Sequence, residues 1–211
     1  MSPFVTFEGI EGSGKSTHLR QLAAELRRRG RDVLETREPG ATRAGGAIRE
    51  LLLAANGAPL TPLAELFLYC ADRAQHLDEV VRPALAAGRV VLCDRFSDST
   101  IAYQGYGRGL SLETVRALDA SARRGLEPTL TILLDCPIAD GLARARGRAR
   151  SAAPDRFEAE ASAFHERVRA GFLELAAASP ARFVVVDASA PLAEVHARIV
   201  AATERHLERA P

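Results

Sequence analysis

A phosphate-binding loop is predicted near the start of the chain. Residues 9–16 read Gly-Ile-Glu-Gly-Ser-Gly-Lys-Ser, which fits the pattern G-x-x-x-x-G-K-[ST]. In such a loop, glycines let the backbone wrap around phosphate oxygens, the lysine reaches the outer phosphates and the final hydroxyl ligates Mg²⁺. Lys15 is the single lysine among 28 lysine and arginine residues. A compact ammonium fits inside this loop where a flat, forked guanidinium does not, so we expect Lys15 to bind phosphate.

A buried strand and an amphipathic helix are predicted on either side of this loop. Residues 4–7 are Phe-Val-Thr-Phe, and Leu19, Leu22 and Leu26 recur at helical spacing before Gly30, the predicted C-cap. This order directs a helix N-terminus, which attracts negative charge, towards the loop. The alternative is a glycine-rich turn between a strand and a helix that binds no ligand.

Short apolar segments and amphipathic segments alternate along the chain. The apolar segments lack polar alternation, which is typical of parallel strands buried on both faces. Strands are predicted at 4–7, 32–35, 90–93, 130–134 and 183–186, and helical spacing is found around 17–29, 63–76, 112–118, 164–175 and 192–199. We therefore predict an α/β protein with the three-layer P-loop NTPase fold. It would have a five-stranded parallel sheet with helices on both faces, in a single domain over residues 1–211.

Charged residues follow the predicted strands at the edge of the sheet where ligands bind in such folds. Residues 36–42 follow the second strand, residues 94–99 follow the third, and Asp135 precedes an arginine-rich segment at 144–156. Arginine thus follows three of the first four strands. We expect a site that handles more phosphate charge than one nucleotide supplies.

Asp94 and Arg95 are adjacent at the end of the third predicted strand. Asp94 has the Walker B position, from which a carboxylate holds Mg²⁺ directly or through water. Alternatively, Asp94 caps the following helix. Neighbouring residues at a strand end point to different sides, so Arg95 could face a second ligand. The alternative for Arg95 is a structural ion pair.

Tyr69 and Arg73 are four residues apart on one face of the helix predicted at 63–76. An aromatic ring beside a guanidinium could clamp a nucleoside monophosphate, because the ring stacks on the base while the arginine holds the phosphate. The alternative is that Tyr69 is a core residue.

The composition indicates which kinds of partner the protein binds and in which compartment it is found. A net charge of +1 and a pI near 7.8 argue against a dedicated nucleic-acid binder. No apolar run reaches membrane-spanning length, and no signal peptide is found before the first strand, which predicts a cytoplasmic protein. Cys70, Cys93 and Cys136 are widely spaced and odd in number, so neither a disulfide framework nor a zinc site is expected.

Several sequence blocks resemble thymidylate kinases of the bacterial type. The blocks are FEGIEGSGKST at 7–17, REPG at 37–40, ADRAQH at 71–76, DRFSDSTIAYQG at 94–105 and DRFE at 155–158. They occur in the order found in the family and span nearly the whole chain. The pattern D-R-[YFH]-x-x-S-x-x-A-Y-Q is the most specific of them.

The resemblance implies that ATP donates its γ-phosphoryl group to dTMP, giving ADP and dTDP, with Mg²⁺ required. It implies no partner other than these small molecules and a second copy of the chain, as a homodimer. Ser16 and Asp94 would hold the metal. The residues implied to bind ATP are Gly9, Ile10, Glu11, Gly12, Ser13, Gly14, Lys15, Ser16 and Thr17.

The resemblance also implies an acceptor site. The residues implied to bind dTMP are Arg37, Tyr69, Arg73, Arg95, Ser99, Thr100, Tyr103 and Gln104. The three arginines would hold the phosphate, Tyr69 would stack on thymine, and the serine, threonine and glutamine would line the base. Tyr103 would crowd the sugar 2′ position and disfavour ribose, and Glu11 would lie near the 3′-hydroxyl and the metal.

An arginine-rich lid is expected over about residues 144–157. Eukaryotic members have an arginine in the phosphate loop where this chain has Gly12, so another group must neutralise the transferring phosphoryl. Arg144, Arg146, Arg148, Arg150 and Arg156 are the candidates, of which we favour Arg146 and Arg148. An arginine that stabilises the transferring phosphoryl raises kcat by a factor of about 10³–10⁵. The alternative is a solvated basic loop. The residues expected to act in catalysis are Lys15, Glu11, Arg95, Arg146, Arg148 and Arg156.

Ala41 departs from the family pattern R-E-P-G-G-T by replacing the second glycine. A positive φ there would cost about 1 kcal/mol, so we expect a backbone conformation that tolerates alanine.

Three other functions use related folds or motifs. A GTPase needs N-K-x-D, but Asn56 is the single asparagine and is followed by glycine, which excludes that class. An adenylate- or shikimate-type kinase shares the fold and lid but does not account for the A-Y-Q block. A non-catalytic nucleotide sensor would leave the lid arginines without a role.

Overall fold

The computed structural model describes residues 2–54, 59–148, 157 and 160–209, with the side chains of 148 and 207–209 outside that description. Five parallel strands form one sheet in the order β2-β3-β1-β4-β5. They are β1 Phe4–Glu8, β2 Val33–Arg37, β3 Val90–Asp94, β4 Leu130–Asp135 and β5 Phe183–Asp187. The predicted five-stranded parallel sheet is therefore confirmed.

Each strand runs one or two residues past its predicted end. Glu8, Arg37, Asp94 and Asp135 are consequently the last residues of strands rather than the first residues of loops. Each of these residues is in register with a residue of at least one neighbouring strand, so the sheet holds its backbone. Polar side chains at the carboxyl edge are thus held more rigidly than a loop would hold them.

The sheet is buried on both faces, as the unbroken apolar strands predict. In β3, Val90 and Leu92 pack into one apolar cluster with residues such as Leu22, whereas Val91 and Cys93 pack into a second cluster with Phe4. This division follows because successive side chains of a strand point to opposite faces. Full burial of one such side chain contributes about 1.5–3 kcal/mol to the stability of the folded protein.

Helices cover both faces, with α1 and α9 packed together on one of them and α4 and α8 against the other. The helices are α1 Lys15–Arg28, α2 Arg43–Leu53, α3 Pro62–His76, α4 Arg82–Ala86, α5 Ser97–Thr100, α6 Leu112–Arg123, α7 Ile138–Arg148, α8 Ser162–Ala178 and α9 Leu192–Arg209. Two π-helical segments, Leu77–Val81 and Ile101–Gly107, continue α3 and α5. Neither segment was predicted, because five and seven residues are too few to show a hydrophobic period of their own.

The first helix begins at Lys15, two residues earlier than predicted, with Gly14 as its N-cap. Lys15 and Ser16 are therefore part of the helix N-terminus itself. Arg29 is the C-cap rather than Gly30, and Gly30 follows it with φ 77°. A glycine is favoured there because a left-handed backbone disfavours a Cβ.

The described residues contain no helix long and apolar enough to cross a membrane. Cys93 and Cys136 are buried in the apolar core, as expected of small core residues, and all three cysteines are free. Burial raises the pKa of the Cys93 thiol well above its usual value.

Candidate active site

Lys15 lies inside the loop that the sequence predicts to bind phosphate. Its Nζ donates to the carbonyl oxygens of Gly9 at 3.0 Å and Ile10 at 2.7 Å, and lies 3.4 Å from Ser13 Oγ. Burial, followed by the nearby positive charge of Arg95, lowers the pKa of Lys15 to about 8. The ammonium is thus held at the centre of the loop by groups that a phosphate oxygen could replace.

The backbone conformation of the loop and its close packing require glycine at two positions. Gly9 has φ 136° and Gly12 has φ 72°, in a region that disfavours side chains. A Cβ on Gly12 would lie 1.8 Å from the carbonyl oxygen of Gly141 in α7. The loop therefore lies in backbone contact with the helix from which the predicted lid extends.

Ser16 and Asp94 meet at the edge of the sheet, as predicted for the two metal-binding residues. The Ser16 hydroxyl donates to Asp94 Oδ2. Asp94 does not cap the following helix, since the N-cap of α5 is Phe96. Mg²⁺ prefers such oxygen ligands and takes most of its remaining coordination from water and phosphate. The donor set fits this ion, and the described residues contain no group of three or more His, Cys, Asp or Glu suited to a metal.

Arg95 has an unusual backbone and a crowded set of partners. Its φ of 69° turns the chain sharply after β3. Its guanidinium donates to the Gly9 carbonyl at 3.1 Å, to Ser99 Oγ at 3.0 Å, to Glu11 Oε1 at 3.0 Å and to the Tyr103 hydroxyl at 3.1 Å. The ion pair with Glu11 shows that Arg95 has a structural partner while it also lines the pocket.

Glu11 is the acidic residue of the loop. Its Oε1 accepts hydrogen bonds from Arg95 and, at 2.5 Å, from Tyr103, while Oε2 lies 3.4 Å from His165 Nδ1. Burial alone would raise the pKa of Glu11, but His165 and the charges of Arg95 and Lys15 outweigh it and hold the pKa at about 2. Glu11 is consequently ionised at any working pH.

Arg73 is fully buried in a network of charges. Its guanidinium donates to Glu38 Oε2 at 2.9 Å, to Asp119 Oδ1 at 2.8 Å and to Thr100 Oγ1 at 3.0 Å. His76 Nδ1 lies 2.8 Å from the other oxygen of Glu38. The charge of Arg73 is thus balanced by two carboxylates, a pairing that the sequence did not predict.

Arg37 differs from Arg73 in its surroundings. Its side chain is exposed at the end of β2, and within the described ranges its guanidinium has no hydrogen-bond or ion-pair partner.

Ala41, four residues after Arg37, does not have a positive φ, so the position tolerates alanine as expected.

One cleft brings most of the predicted residues together around about 1030 Å³ of empty space that is partly open to solvent. The predicted residues that line it are Glu11, Gly12, Gly14, Lys15, Ser16, Arg37, Tyr69, Arg73, Asp94, Arg95, Ser99, Thr100, Tyr103 and Gln104. Gly9, Ile10, Ser13 and Thr17 belong to the loop or the start of α1 but do not line the cleft.

The two lid arginines whose side chains the structure describes, Arg144 and Arg146, do not line the cleft. Arg144 lies on α7, where its Nη1 donates to the carbonyl oxygen of Ala188 at 2.9 Å, and Arg146 is exposed on the same helix. The side chain of Arg148, and the whole of Arg150 and Arg156, lie outside the described residues.

Several residues of the cleft were missed. Glu38, Pro39, Arg49, Leu53, Phe96 and Phe157 also line it. The REPG and DRFE blocks contain three of these residues and could have pointed to them, whereas nothing in the local sequence distinguishes Arg49. Arg49 Nη1 donates to the Pro39 carbonyl at 2.9 Å, a contact that brings α2 to the cleft.

The fold and the cleft define a P-loop phosphotransferase with a place for a donor nucleotide beside a second, aromatic-walled site. A family profile described as thymidylate kinase matches residues 7–199. The chain belongs to the thymidylate kinase family.

Relatives support this assignment over nearly the whole chain. A thymidylate kinase from Desulfovibrio desulfuricans is 54% identical over 210 residues, covering 98% of this chain and 97% of the relative. Another from Solidesulfovibrio magneticus is 57% identical over 190 residues, covering 88% and 91%. A crystal structure of thymidylate kinase from Ehrlichia chaffeensis aligns with a TM-score of 0.77 at 33% identity, covering 96% of this chain and 98% of that one. The chain is accordingly a kinase.

Proposed function

We propose that the chain transfers the γ-phosphoryl group of ATP to dTMP, giving ADP and dTDP for the synthesis of dTTP. The observation that carries this proposal is the shared cleft, which is lined by the phosphate loop on one side and by Tyr69, Arg95 and Gln104 on the other. Two ligands bound there would place a donor phosphate next to an acceptor phosphate. Because the acceptor is already an anion, catalysis needs positioning and charge stabilisation rather than a protein base.

On the donor side, residues 9–17 would bind the phosphates of ATP. Lys15 would exchange its bonds to loop carbonyls for bonds to β- and γ-phosphate oxygens. Mg²⁺ would be held by Ser16 and Asp94 and would neutralise charge on the phosphates. These two side chains now bond to each other, so they are already placed within reach of one ion.

On the acceptor side, Arg37 and Arg95 would hold the dTMP phosphate. Arg37 has no protein partner to give up within the described ranges, and Arg95 is fixed by Glu11 and Tyr103. Arg73 would contribute through N–H groups not used by its two carboxylate partners. Because its charge is balanced, those groups suit a neutral carbonyl of the base as well as a phosphate oxygen.

The base and sugar would occupy the aromatic part of the cleft. Tyr69 lies 6.5 Å from Phe157 and Tyr103 lies 5.6 Å from it, measured between ring centroids. Tyr69 would stack on thymine, and Ser99, Thr100 and Gln104 would line its edge. Tyr103, held by Glu11 and Arg95, would restrict the sugar 2′ position, with Glu11 near the 3′-hydroxyl.

The lid over about residues 144–157 would supply the remaining positive charge. We keep Arg146, Arg148 and Arg156 as the catalytic candidates. Arg144 is held by the Ala188 carbonyl and is placed to anchor α7 instead. One arginine at the transferring phosphoryl contributes about 10³–10⁵ in rate. The lid and the sheet together would form a single kinase domain.

We also propose a homodimer in the cytoplasm. Leu63 and Phe67 are four residues apart on α3 and are 44% and 50% exposed, and Leu51 on the adjoining α2 is 61% exposed. Covering these side chains with the same face of a second copy would remove apolar surface from water. Phe67→Glu should give a monomer in light scattering, whereas Leu192→Glu, at an exposed position of α9, should leave the dimer intact. The free cysteines suit a reducing compartment.

A coupled ADP-release assay with dTMP, dUMP, AMP, CMP and shikimate tests the substrate. We expect the highest kcat/KM with dTMP, and no turnover once Mg²⁺ is chelated. A preference for any other acceptor would remove dTMP as the substrate. Nucleotide binding without phosphoryl transfer to any acceptor would instead favour a sensor.

A further inference from the structure

Arg108 lies outside the cleft but connects two of its walls. Its Nε and Nη2 face the two carboxylate oxygens of Glu65 at 3.2 and 3.3 Å, and its Nη1 donates to Glu160 Oε1 at 2.5 Å. The guanidinium carbon lies 5.4 Å from the ring centre of Phe157 and 4.8 Å from that of Phe164. One side chain thus contacts two acids and two aromatic rings.

The Glu65 contact leads to the acceptor side of the cleft. Glu65 is 1% exposed and also accepts a hydrogen bond from Gln104 Nε2 at 2.8 Å. A buried carboxylate needs a compensating charge, which Arg108 provides. Since Gln104 lines the cleft, Arg108 helps to fix the orientation of its amide through Glu65.

The Glu160 contact leads to the end of the predicted lid at 144–157. Phe157 is the last residue of that segment, is 3% exposed and lines the cleft beside Tyr69 and Tyr103. Glu160 follows it by three residues, and its amide N donates to the Phe157 carbonyl at 3.1 Å. An anchor at Glu160 therefore holds Phe157 in the wall of the cleft.

We infer that Arg108 is a positioning residue that joins the carboxyl end of the lid to the acceptor pocket. It acts through Gln104 and Phe157 and does not touch the substrate. A wall that is already in place does not have to be ordered when the acceptor binds, so the contact increases affinity for the acceptor. The planar fork of arginine is required because a lysine ammonium cannot face both acids and both rings at once. This inference rests on the proposed function for the identity of the acceptor, dTMP.

Glu160→Gln separates this role from general stability, because it removes the negative charge from the lid contact while leaving Glu65 paired with Arg108. The matched control is Glu194→Gln, which removes an exposed ion pair with Arg198 on α9, away from the cleft. Affinity for dTMP is measured by calorimetry without ATP, and KM for ATP by steady-state kinetics.

We expect Glu160→Gln and Arg108→Lys each to weaken dTMP binding about three- to tenfold, as for loss of one partly exposed charge-assisted hydrogen bond. KM for ATP should stay within about twofold of wild type, and the control should leave both constants unchanged. Combining the two substitutions should weaken binding no more than Arg108→Lys alone, since both weaken the same contact.

The inference is overturned if Glu160→Gln binds dTMP as the control does, if both substrates are affected equally, or if the two effects add. Amide exchange at residues 160–164 gives a readout that needs no substrate. Faster exchange in Glu160→Gln than in the control is expected, and equal exchange would show that Arg108 anchors nothing. That readout stands even if the wild-type protein does not accept dTMP, so failure of the inference is distinct from failure of the proposed function.

Discussion

Gly12 of the phosphate loop and Gly141 of α7 are in mutual backbone contact. A Cβ on Gly12 would lie 1.8 Å from the Gly141 carbonyl oxygen, and a Cβ on Gly141 would lie 2.6 Å from the carbonyl oxygen of Glu11. Neither neighbour is a flexible side chain that could move aside. The loop and the helix that leads into the lid are therefore joined, and this position of the loop has no room for an arginine.

Gly12→Ala should therefore destabilise the protein by about 2–4 kcal/mol, from a left-handed backbone and a clash with backbone atoms. The free energy of unfolding and kcat are both measured, and both should fall because the loop and α7 must separate.

Gly88→Ala is the matched control for this substitution. Gly88 also has a positive φ, 83°, but a Cβ there would meet nothing within 4 Å. The free energy of unfolding of Gly88→Ala should fall by only about 1 kcal/mol, the cost of placing alanine in a left-handed backbone conformation. Equal losses in the two variants would mean that the contact with Gly141 does not matter.

Lys15→Met should abolish activity yet stabilise the ligand-free protein at neutral pH. The folded protein holds the pKa of Lys15 at about 8, against 10.5 for an ordinary lysine, because the ammonium is buried. Without ligand, charged Lys15 thus opposes folding. We expect kcat to fall by at least about 10²-fold and the unfolding free energy at pH 7 to rise by up to about 3 kcal/mol.

The rise in stability of Lys15→Met should depend on pH, because the pKa of Lys15 is lower in the folded protein than in the unfolded chain. Between pH 8 and 10.5, the unfolded chain binds a proton that the folded wild type has released. Wild-type stability therefore rises with pH in that window, and the advantage of the variant shrinks. Denaturant melts at pH 7 and pH 10 measure this, and a constant difference between the two proteins would rule out the buried charge as its cause.

Arg73→Met should destabilise the protein far more than Arg37→Met. Arg73→Met removes a buried countercharge from both Glu38 and Asp119, of which only Asp119 keeps another arginine partner, Arg123, and loss of about 3–5 kcal/mol of stability is expected. Arg37→Met should change stability by less than about 0.5 kcal/mol, since its exposed guanidinium has no partner in the described structure.

Activity should test the role of Arg37 in the acceptor site. Arg37→Met should lower kcat/KM for dTMP about 10- to 100-fold, the effect of losing a charge-assisted hydrogen bond to phosphate. Unchanged kinetics in Arg37→Met would exclude this residue from the acceptor site. Unchanged stability in Arg73→Met would contradict a stabilising role for its buried ion pairs with Glu38 and Asp119.

Tyr103→Ala should relax discrimination between dTMP and its ribonucleotide analogue by about tenfold, because the side chain that fills the space at the sugar is removed. Tyr103→Phe keeps the ring and deletes only the hydroxyl that contacts Glu11 and Arg95, so its ratio should change less. Competition kinetics with both nucleotides give the ratio directly. The same ratio in Tyr103→Ala and wild type would contradict a role in sugar selection.

Local patterns in the sequence determine the phosphate loop and the positions of the strands along the chain. The loop follows from the short spacing of Gly9, Gly14 and Lys15, and the strands follow from uninterrupted apolar residues that need burial on both faces. The same order of strands and polar ends placed Asp94 and Arg95 at the site. These features depend on neighbours within a few residues, which is why they can be predicted from one chain.

Only the tertiary structure decided which distant residues meet. The pairing of Arg73 with Asp119 spans 46 positions and that of Arg108 with Glu160 spans 52, and Gly12 meets Gly141 across a still longer separation. With 28 basic and 27 acidic side chains, the sequence allows very many such pairs of opposite charge. Burial selects among them, because a charge removed from water is stable only beside the partner that the packing of the whole chain brings to it.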